Sequence, residues 1–243
     1  MTPLSGPSHS TALAMLYWTY LHSSRIFKRK SWWLLAGASV LWAVMAPHVA
    51  VTPTEGLEIL ITQLMPLCAL FYGAGLIREE IEDQTLTYSF SSPTQRHWIY
   101  GARLTAAALP IAVLAGPPLL AFTMNTQGID PGTVLLGALL SSLGYCAIFG
   151  ILGQITQRPT WFGLIYLLLW ESGASALPGL FSRFTFTHHL QTLMGIRATT
   201  GTFGPLTDAT TPTESMVVLI CMTGFGLLAG GILAARRSFY LRR

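Results

Sequence analysis

The stretch Gly132–Ile155 reads GTVLLGALLSSLGYCAIFGILGQI and contains no charged residue. An α-helix rises about 1.5 Å per residue, so roughly 20 apolar residues cross the hydrocarbon core of a bilayer. This stretch has that length and that character. It therefore predicts a transmembrane helix.

The rest of the chain has the same apolar character. Of its 243 residues, 51% are hydrophobic and only 10% are charged, and its mean hydropathy is +0.52. A soluble protein carries roughly 25% charged residues, because its surface faces water. The composition therefore excludes an ordinary soluble enzyme, and the net charge of +4 gives no reason to expect a nucleic-acid partner.

Six stretches are long and apolar enough to cross a membrane, so we expect an all-α integral membrane protein with six transmembrane helices. They are Ser31–Val51, Leu57–Ile77, Trp98–Met124, Gly132–Ile155, Thr160–Pro178 and Ser215–Ala235. Pro66 in the second stretch predicts a bend that either opens a cavity or only adjusts helix packing. Pro110, Pro117 and Pro118 predict a kink or a tilt in the third.

The basic residues indicate how the chain is oriented. Of the fourteen Lys and Arg residues, only Arg183 and Arg197 fall in the connections on the second side of the membrane. The positive-inside rule places the basic side, with both termini, in the cytoplasm. We expect a multi-pass protein of the prokaryotic cytoplasmic (inner) membrane. Residues 1–243 would form a single transmembrane domain, with an N-terminal interfacial segment (1–30), a six-span bundle (31–235) and a basic cytoplasmic tail (236–243).

The apolar segment Thr11–Leu21 precedes the first basic cluster and lacks a small-residue cleavage site, so it does not resemble a signal peptide. It predicts instead a helix that lies in the cytoplasmic membrane interface. The apolar side chains of that helix would be Leu13, Leu16, Tyr17, Tyr20 and Leu21.

Motifs for catalysis by this chain alone are absent from the sequence. It contains no GxxxxGK[ST] phosphate-binding loop and no HExxH zinc motif. His188 and His189 are adjacent, so they would diverge on a helix, and we expect them to form hydrogen bonds rather than a metal site. Three cysteines fall in three different predicted spans and predict neither a disulfide nor a metal site. They are Cys68, Cys146 and Cys221.

The connection between the second and third spans, Arg78–Arg96, reads REEIEDQTLTYSFSSPTQR and contains four of the chain's ten acidic residues. Leu86 and Phe90, four residues apart, would be the apolar anchors of a cytoplasmic helix that docks onto a partner protein. A solvated loop is the alternative. The pair Glu79-Glu80 resembles the EExxxR motif of intramembrane proteases of the prenyl-processing type. Gln84 stands where that motif has arginine, and the pair lies beside Arg78, outside the apolar stretch, so this alternative is disfavoured.

This connection resembles the permease subunits of ABC-2 type ABC transporters, in which the second span is followed by E-x-E-x-G-T-L-x-x-L-L-x-S-P-x-x-R. The matching positions are Glu80, Glu82, Thr85, Leu86, Phe90, Ser92, Pro93 and Arg96. Gln84 replaces the glycine of the pattern, and Ser89 replaces the first of the paired leucines. Six spans with cytoplasmic termini, and Trp170-Glu171 before a long outer segment, are also similar to these permeases.

The resemblance implies a transmembrane subunit of an ATP-driven exporter, which moves its substrate by alternating access. This chain would pair with a second permease copy or a close homologue, and two copies of a separate ABC ATPase subunit would bind ATP and Mg. The permease would bind no cofactor itself. The remaining partners would be membrane lipids and an accessory protein in the periplasm or outside the cell. ATPase coupling would fall to Glu79, Glu80, Glu82, Thr85, Leu86, Phe90, Pro93 and Arg96.

A second function fits the same resemblance. The chain would then be a non-transporting membrane subunit that couples ATPase cycling to a partner protein, for assembly or for mechanotransmission. For a transporter, the few charges in the spans disfavour a strongly charged solute. They are compatible with a lipid, an apolar peptide or an amphipathic drug-like molecule.

Glu171 is the only acidic residue well inside a predicted span. A carboxylate there costs roughly 2.5–3.5 kcal/mol on insertion scales, and it is a functional candidate by default. Two roles stay open for it: a gate or substrate path shared with Trp170 and Pro66, or a structural hydrogen bond to a neighbouring helix.

The segment Ser172–Thr213 is too polar to span, yet it contains several aromatic and aliphatic residues. It predicts re-entrant outer helices between the fifth and sixth spans, with a surface cap as the alternative. Gly226 and Gly230, and the run Gly73–Gly75, would allow helices to approach each other closely.

Overall fold

The structure, a computed structural model, describes residues 9–45, 52–82, 96–124, 130–174, 181–194 and 210–236. Within these ranges the chain is helical apart from short connections, and it contains no β-strand. The all-α class predicted from the sequence is therefore confirmed for the described residues.

The described helices follow one another in this order: α1 His9–Lys28, α2 Lys30–Met45, α3 Pro53–Ile59, α4 Met65–Glu82, α5 Arg96–Met124, α6 Pro131–Ile155, α7 Pro159–Ile165, α8 Phe186–Leu193 and α9 Pro212–Arg236. Two segments are π-helical: π1, Leu60–Leu64, joins α3 to α4, and π2, Tyr166–Ala174, continues α7. A 3₁₀ turn, Ser182–Phe184, precedes α8.

Three of the described helices, α5, α6 and α9, are long and apolar enough to cross a membrane. They coincide with the third, fourth and sixth predicted spans. The other three predicted spans coincide with shorter helical segments. The first corresponds to α2, which has 16 described residues. The second is interrupted by π1, and much of the fifth is π2. These three spans stay predictions.

Helix α6 lies at the centre of the bundle and packs against α4, α5, α7 and α9. Small residues set these contacts. Gly73 of α4 lies against the Cys146 backbone of α6, and Gly226 of α9 faces Ala147. Gly230 of α9 lies against the phenol ring of Tyr100 from α5. The close helix contacts predicted at these glycines are confirmed.

Helix α5 continues through Pro110, although proline lacks the N–H that would bond to the carbonyl four residues earlier. That carbonyl belongs to Ala106, and it accepts a hydrogen bond from Ser23 Oγ of α1 at 3.1 Å. The carbonyl of Pro110 itself accepts from the indole Nε1 of Trp32 at 3.3 Å. Side chains of the N-terminal helices thus bond to the backbone of α5 around this proline.

The same replacement occurs one turn before Pro118. This proline deprives the Leu114 carbonyl of its backbone donor. The Ser39 hydroxyl of α2 lies 3.2 Å from that oxygen and 2.9 Å from the Ala36 carbonyl, so its one proton is shared between the two acceptors. Helices α1 and α2 therefore pack along α5 and contribute donors to the carbonyls that Pro110 and Pro118 leave without a backbone partner.

Pro66 also has a visible structural counterpart. It is the second residue of α4. At the end of π1, the amide of Met65 bonds to the Leu60 carbonyl, which is five residues earlier rather than four. Proline and π-bulges are both recognised causes of helix bending. The continuous run from Pro53 to Glu82 therefore departs from α-helical geometry at the position where the sequence predicts a bend.

Candidate functional site

The Glu171 side chain is buried, with 1% of its surface exposed, in the π-helical segment π2. Its carboxylate accepts five hydrogen bonds, all from neutral donors. The donors to Oε2 are Tyr145 Oη at 3.1 Å, Thr187 Oγ1 at 2.9 Å and the Thr187 amide at 3.1 Å. The donors to Oε1 are Tyr166 Oη at 2.8 Å and the Phe186 amide at 3.4 Å. In this arrangement both carboxylate oxygens act only as acceptors.

The π-helix brings Tyr166 and Glu171 together. In an α-helix, residues five apart are separated by about 140° around the axis, and their side chains face different neighbours. A π-helix bonds residues five apart, so positions 166 and 171 lie near each other on one side. The 2.8 Å hydrogen bond between Tyr166 Oη and Glu171 Oε1 depends on this geometry.

Glu171 also binds the N-terminus of α8. The first amides of a helix have no partner inside it, and they attract negative charge. Two of these amides, at Phe186 and Thr187, donate to the Glu171 carboxylate. The amide of His188 donates to Oγ1 of Thr185, which is the N-cap residue of α8. One capping residue and one distant carboxylate therefore share the N-terminus of this helix.

Further hydrogen bonds connect α8 to other elements at this end of the bundle. Gln191 Nε2 donates to Glu58 Oε1 of α3 at 2.9 Å. His188 Nε2 lies 3.1 Å from the Thr210 hydroxyl, which precedes α9. Helix α8 also packs against α6, α9, π1 and π2, and most of its side chains are buried. It is a short helix enclosed by the longer ones.

The two adjacent histidines of α8 are both buried, with ring centroids 4.9 Å apart in an edge-to-face arrangement. His189 Nε2 lies 2.7 Å from the Arg183 carbonyl oxygen, so this nitrogen carries the proton. Burial lowers the pKa of His189. Both histidines form hydrogen bonds as predicted, but their rings lie against each other and do not diverge around the helix as the sequence analysis expected. The described residues contain no group of three side chains that could bind a metal ion.

The residues predicted to couple to an ATPase fall at the edge of the described structure. Glu79, Glu80 and Glu82 belong to the C-terminal part of α4, and Arg96 is the exposed first residue of α5. The other four lie outside the described residues. They are Thr85, Leu86, Phe90 and Pro93. The coupling assignment stays a prediction.

The three residues predicted for a gate or substrate path lie close to α8 along the chain or in space. Glu171 contacts the N-terminus of α8 directly. Its neighbour Trp170 is 38% exposed and donates from Nε1 to the Phe184 carbonyl, in the turn before α8. Pro66 is buried in the first turn of α4, next to π1, which packs against α8. The structural hydrogen bond proposed for Glu171 is confirmed, and its gating role stays a prediction.

Sequence reasoning missed the partners of Glu171. Tyr145, Tyr166 and Thr187 are 26, 5 and 16 residues away from it, and no periodicity connects them. One local signal was present. Thr185 stands before an apolar residue in a polar segment, and threonine in such a place is a common N-cap.

No protein-family model matches this chain, and no curated protein matches it.

Proposed function

We propose that this chain is the transmembrane subunit of an ATP-driven exporter, and that α8 is the outer gate of its transport path. The observation that carries this proposal is the enclosure of α8, a helix of eight residues whose N-terminus is bound by the buried carboxylate of Glu171. A buried carboxylate in an apolar bundle is expensive and is usually functional. Three long apolar helices and the resemblance of Arg78–Arg96 to ABC-2 permeases support the same function.

The contacts of α8 suit a gate with two discrete positions. Its anchors belong to three different elements, namely Glu171 in π2, Glu58 in α3 and Thr210 before α9. A relative movement of these elements breaks specific hydrogen bonds rather than deforming the core gradually. Such bistable contacts convert small shifts into a change of state. In this proposal α8 is a re-entrant helix on the outer side of a six-span subunit.

The described run from Pro53 to Glu82 connects the gate to the proposed motor contact. Its π1 segment packs against α8, and its last helix, α4, leads directly into the predicted coupling helix. Coupling between distant sites needs a contiguous element with two arrangements. The π1 segment and Pro66 provide a point where this run departs from α-helical hydrogen bonding. Movement of an ATPase beneath the membrane would reach α8 through this run.

The experiment locks α8 onto α6. A Cβ built at Gly137 of α6 lies 3.2 Å from Leu193 Cδ1 of α8, so cysteines at these two positions are within reach of a short thiol crosslinker. The background is C68S/C146S/C221S, which removes the three native thiols. The G137C/L193C variant is assembled in lipid nanodiscs with an ABC ATPase subunit encoded beside its gene, and ATP hydrolysis is measured before and after crosslinking.

We expect crosslinking to lower the ATP hydrolysis of the complex at least about tenfold, which corresponds to roughly 1.4 kcal/mol in the barrier, and reductant to restore it when the crosslinker is cleavable. The single variants G137C and L193C, treated in the same way, control for modification alone. Full hydrolysis by the locked complex would exclude α8 as a moving gate. A second variant, L86D/F90D, changes the two predicted anchors of the coupling helix. If the locked complex hydrolyses ATP fully and L86D/F90D abolishes binding of the ATPase, the non-transporting function is favoured.

A further inference from the structure

Helix α1 has one face against the protein and one face that no described part of the chain covers. His22, Ser23 and Ile26 are buried, and Ser23 bonds to α5. The other face carries apolar side chains at helical spacing, and their exposed fractions run from 61% to 73%. They are Leu13, Leu16, Tyr17 and Tyr20.

A cationic cluster follows this apolar face at the junction of α1 and α2. Its four side chains are all exposed, and they are Arg25, Lys28, Arg29 and Lys30. Beyond the cluster, Trp33 and Leu34 of α2 are again 65% and 75% exposed. The cations therefore lie between two exposed apolar surfaces along the chain.

The helices that form this junction carry no acidic residue themselves. Neither α1 nor α2 contains an acidic residue, and neither does α5, the helix on which both pack. Helix α5 instead adds the buried cation Arg103, which acts electrostatically on His22 of α1. The exposed cationic side chains at the junction of α1 and α2 attract anions.

We propose that the exposed apolar face of α1 and the cluster Arg25–Lys30 together bind anionic phospholipids of one membrane leaflet. The leucines and tyrosines enter the boundary between headgroups and acyl chains, and the basic side chains extend to the phosphate level. The exposed apolar face decides between a lipid and a soluble anion, because free phosphate offers nothing for Leu13, Leu16, Tyr17 and Tyr20 to contact. This surface is separate from α8, and the inference does not depend on the proposed transport function.

The test compares lipids at the protein surface by electron paramagnetic resonance. The full chain is reconstituted in phosphatidylcholine vesicles with a trace of spin-labelled phosphatidylglycerol or spin-labelled phosphatidylcholine, and the motionally restricted fraction of each label is measured. We expect a preference for phosphatidylglycerol of about threefold or more, since each basic residue near an anionic headgroup contributes appreciably. In R25Q/K28Q/K30Q this preference falls close to one.

The variant R158Q/R236Q is the control for loss of basic charge elsewhere, because both arginines are exposed but lie outside α1 and α2. It keeps most of the preference. Equal losses in the two variants, or no loss in R25Q/K28Q/K30Q, would overturn the proposal. Inorganic phosphate is added in a third arm at constant ionic strength. Displacement of the labelled lipid by phosphate would assign the cluster to a soluble anion and would also overturn it.

Discussion

The hydroxyl of Ser23 donates a hydrogen bond to the carbonyl oxygen of Ala106 across 3.1 Å, between α1 and α5. This carbonyl is the one that Pro110 deprives of its helical partner, because proline has no N–H to donate four residues later. Ser39 stands in the same relation to Leu114 and Pro118. The serines of the N-terminal helices therefore bond to the positions where the backbone of α5 lacks a donor of its own.

Replacing Ser23 by alanine leaves the Ala106 carbonyl buried without this donor. An unsatisfied buried polar group costs about 1–3 kcal/mol, so we expect S23A to lower the free energy of unfolding by that amount. The measurement is reversible unfolding of the purified protein in mixed detergent micelles.

The proline supplies the control for this prediction. P110A restores a backbone N–H that can bond to Ala106, so the loss caused by S23A should shrink to less than half in the P110A background. Ser24 bonds within its own helix, to the Leu21 carbonyl, and S24A should show no coupling to P110A. Equal effects of S23A with and without Pro110 would show that the serine does not replace the missing amide.

Two glycines of α9 predict opposite effects of the same substitution. A Cβ at Gly230 would overlap the phenol ring of Tyr100, whereas a Cβ at Gly224 would meet nothing within 4 Å. We expect G230A to destabilise the protein by about 1–3 kcal/mol through overpacking. G224A should be neutral or stabilising by up to about 1 kcal/mol, because alanine favours the helix. Thermal unfolding of both variants in the same detergent tests the pair, and a neutral G230A would contradict the packing of α5 against α9.

The long apolar helices were predictable because a stretch of about 20 apolar residues is by itself sufficient to indicate a transmembrane helix. The predicted spans Trp98–Met124, Gly132–Ile155 and Ser215–Ala235 agree with α5, α6 and α9 to within a few residues. The starts of two helices, α3 and α9, also have a recognisable sequence signal. The tetrapeptide TPTE occurs twice, at 52–55 and 211–214, and each copy forms a reciprocal capping box between its threonine and its glutamate.

The site was predictable only at Glu171, because a lone acid in an apolar stretch is conspicuous in any sequence. Its partners were not predictable, since Tyr145 and Thr187 reach it through tertiary packing rather than through a local pattern. The π-helical geometry of π2 was also not predictable from the sequence. Hydrophobic periodicity distinguishes helix from strand, but over nine residues it does not separate a π-helix from an α-helix.

Acid should destabilise the packing of α1 on α5 through His22. Burial, and then the nearby Arg103 and Arg25, lower the pKa of His22 to about 4, from 6.5. In the unfolded chain the imidazole binds a proton between these two values, and in the folded protein it does not. Unfolding therefore takes up nearly one proton in this range, and stability falls as the pH drops from about 6.5 to about 4.

The variant H22Q should lack this part of the pH dependence, because glutamine does not titrate. Detergent unfolding at several pH values between 4 and 7 measures the slope. H97Q, which removes a histidine at the start of α5, keeps His22 and should keep the slope. An unchanged slope in H22Q would assign the acid sensitivity to other groups.

Loss of the Glu171 carboxylate should release α8 while the long helices stay folded. E171A removes the acceptor of five hydrogen bonds, including those from the Phe186 and Thr187 amides at the start of α8. We expect hydrogen exchange of the α8 amides to rise at least about tenfold, because that corresponds to about 1.4 kcal/mol. Losing the two amide bonds at about 1 kcal/mol each already exceeds it. E171Q keeps one carbonyl oxygen and should give an intermediate increase.

The control is W170F, whose lost bond goes to Phe184 in the preceding turn and not to α8. Hydrogen exchange is measured by mass spectrometry in nanodiscs. If exchange in α8 is unchanged in E171A, the carboxylate contributes nothing to the stability of this helix, and packing alone positions it.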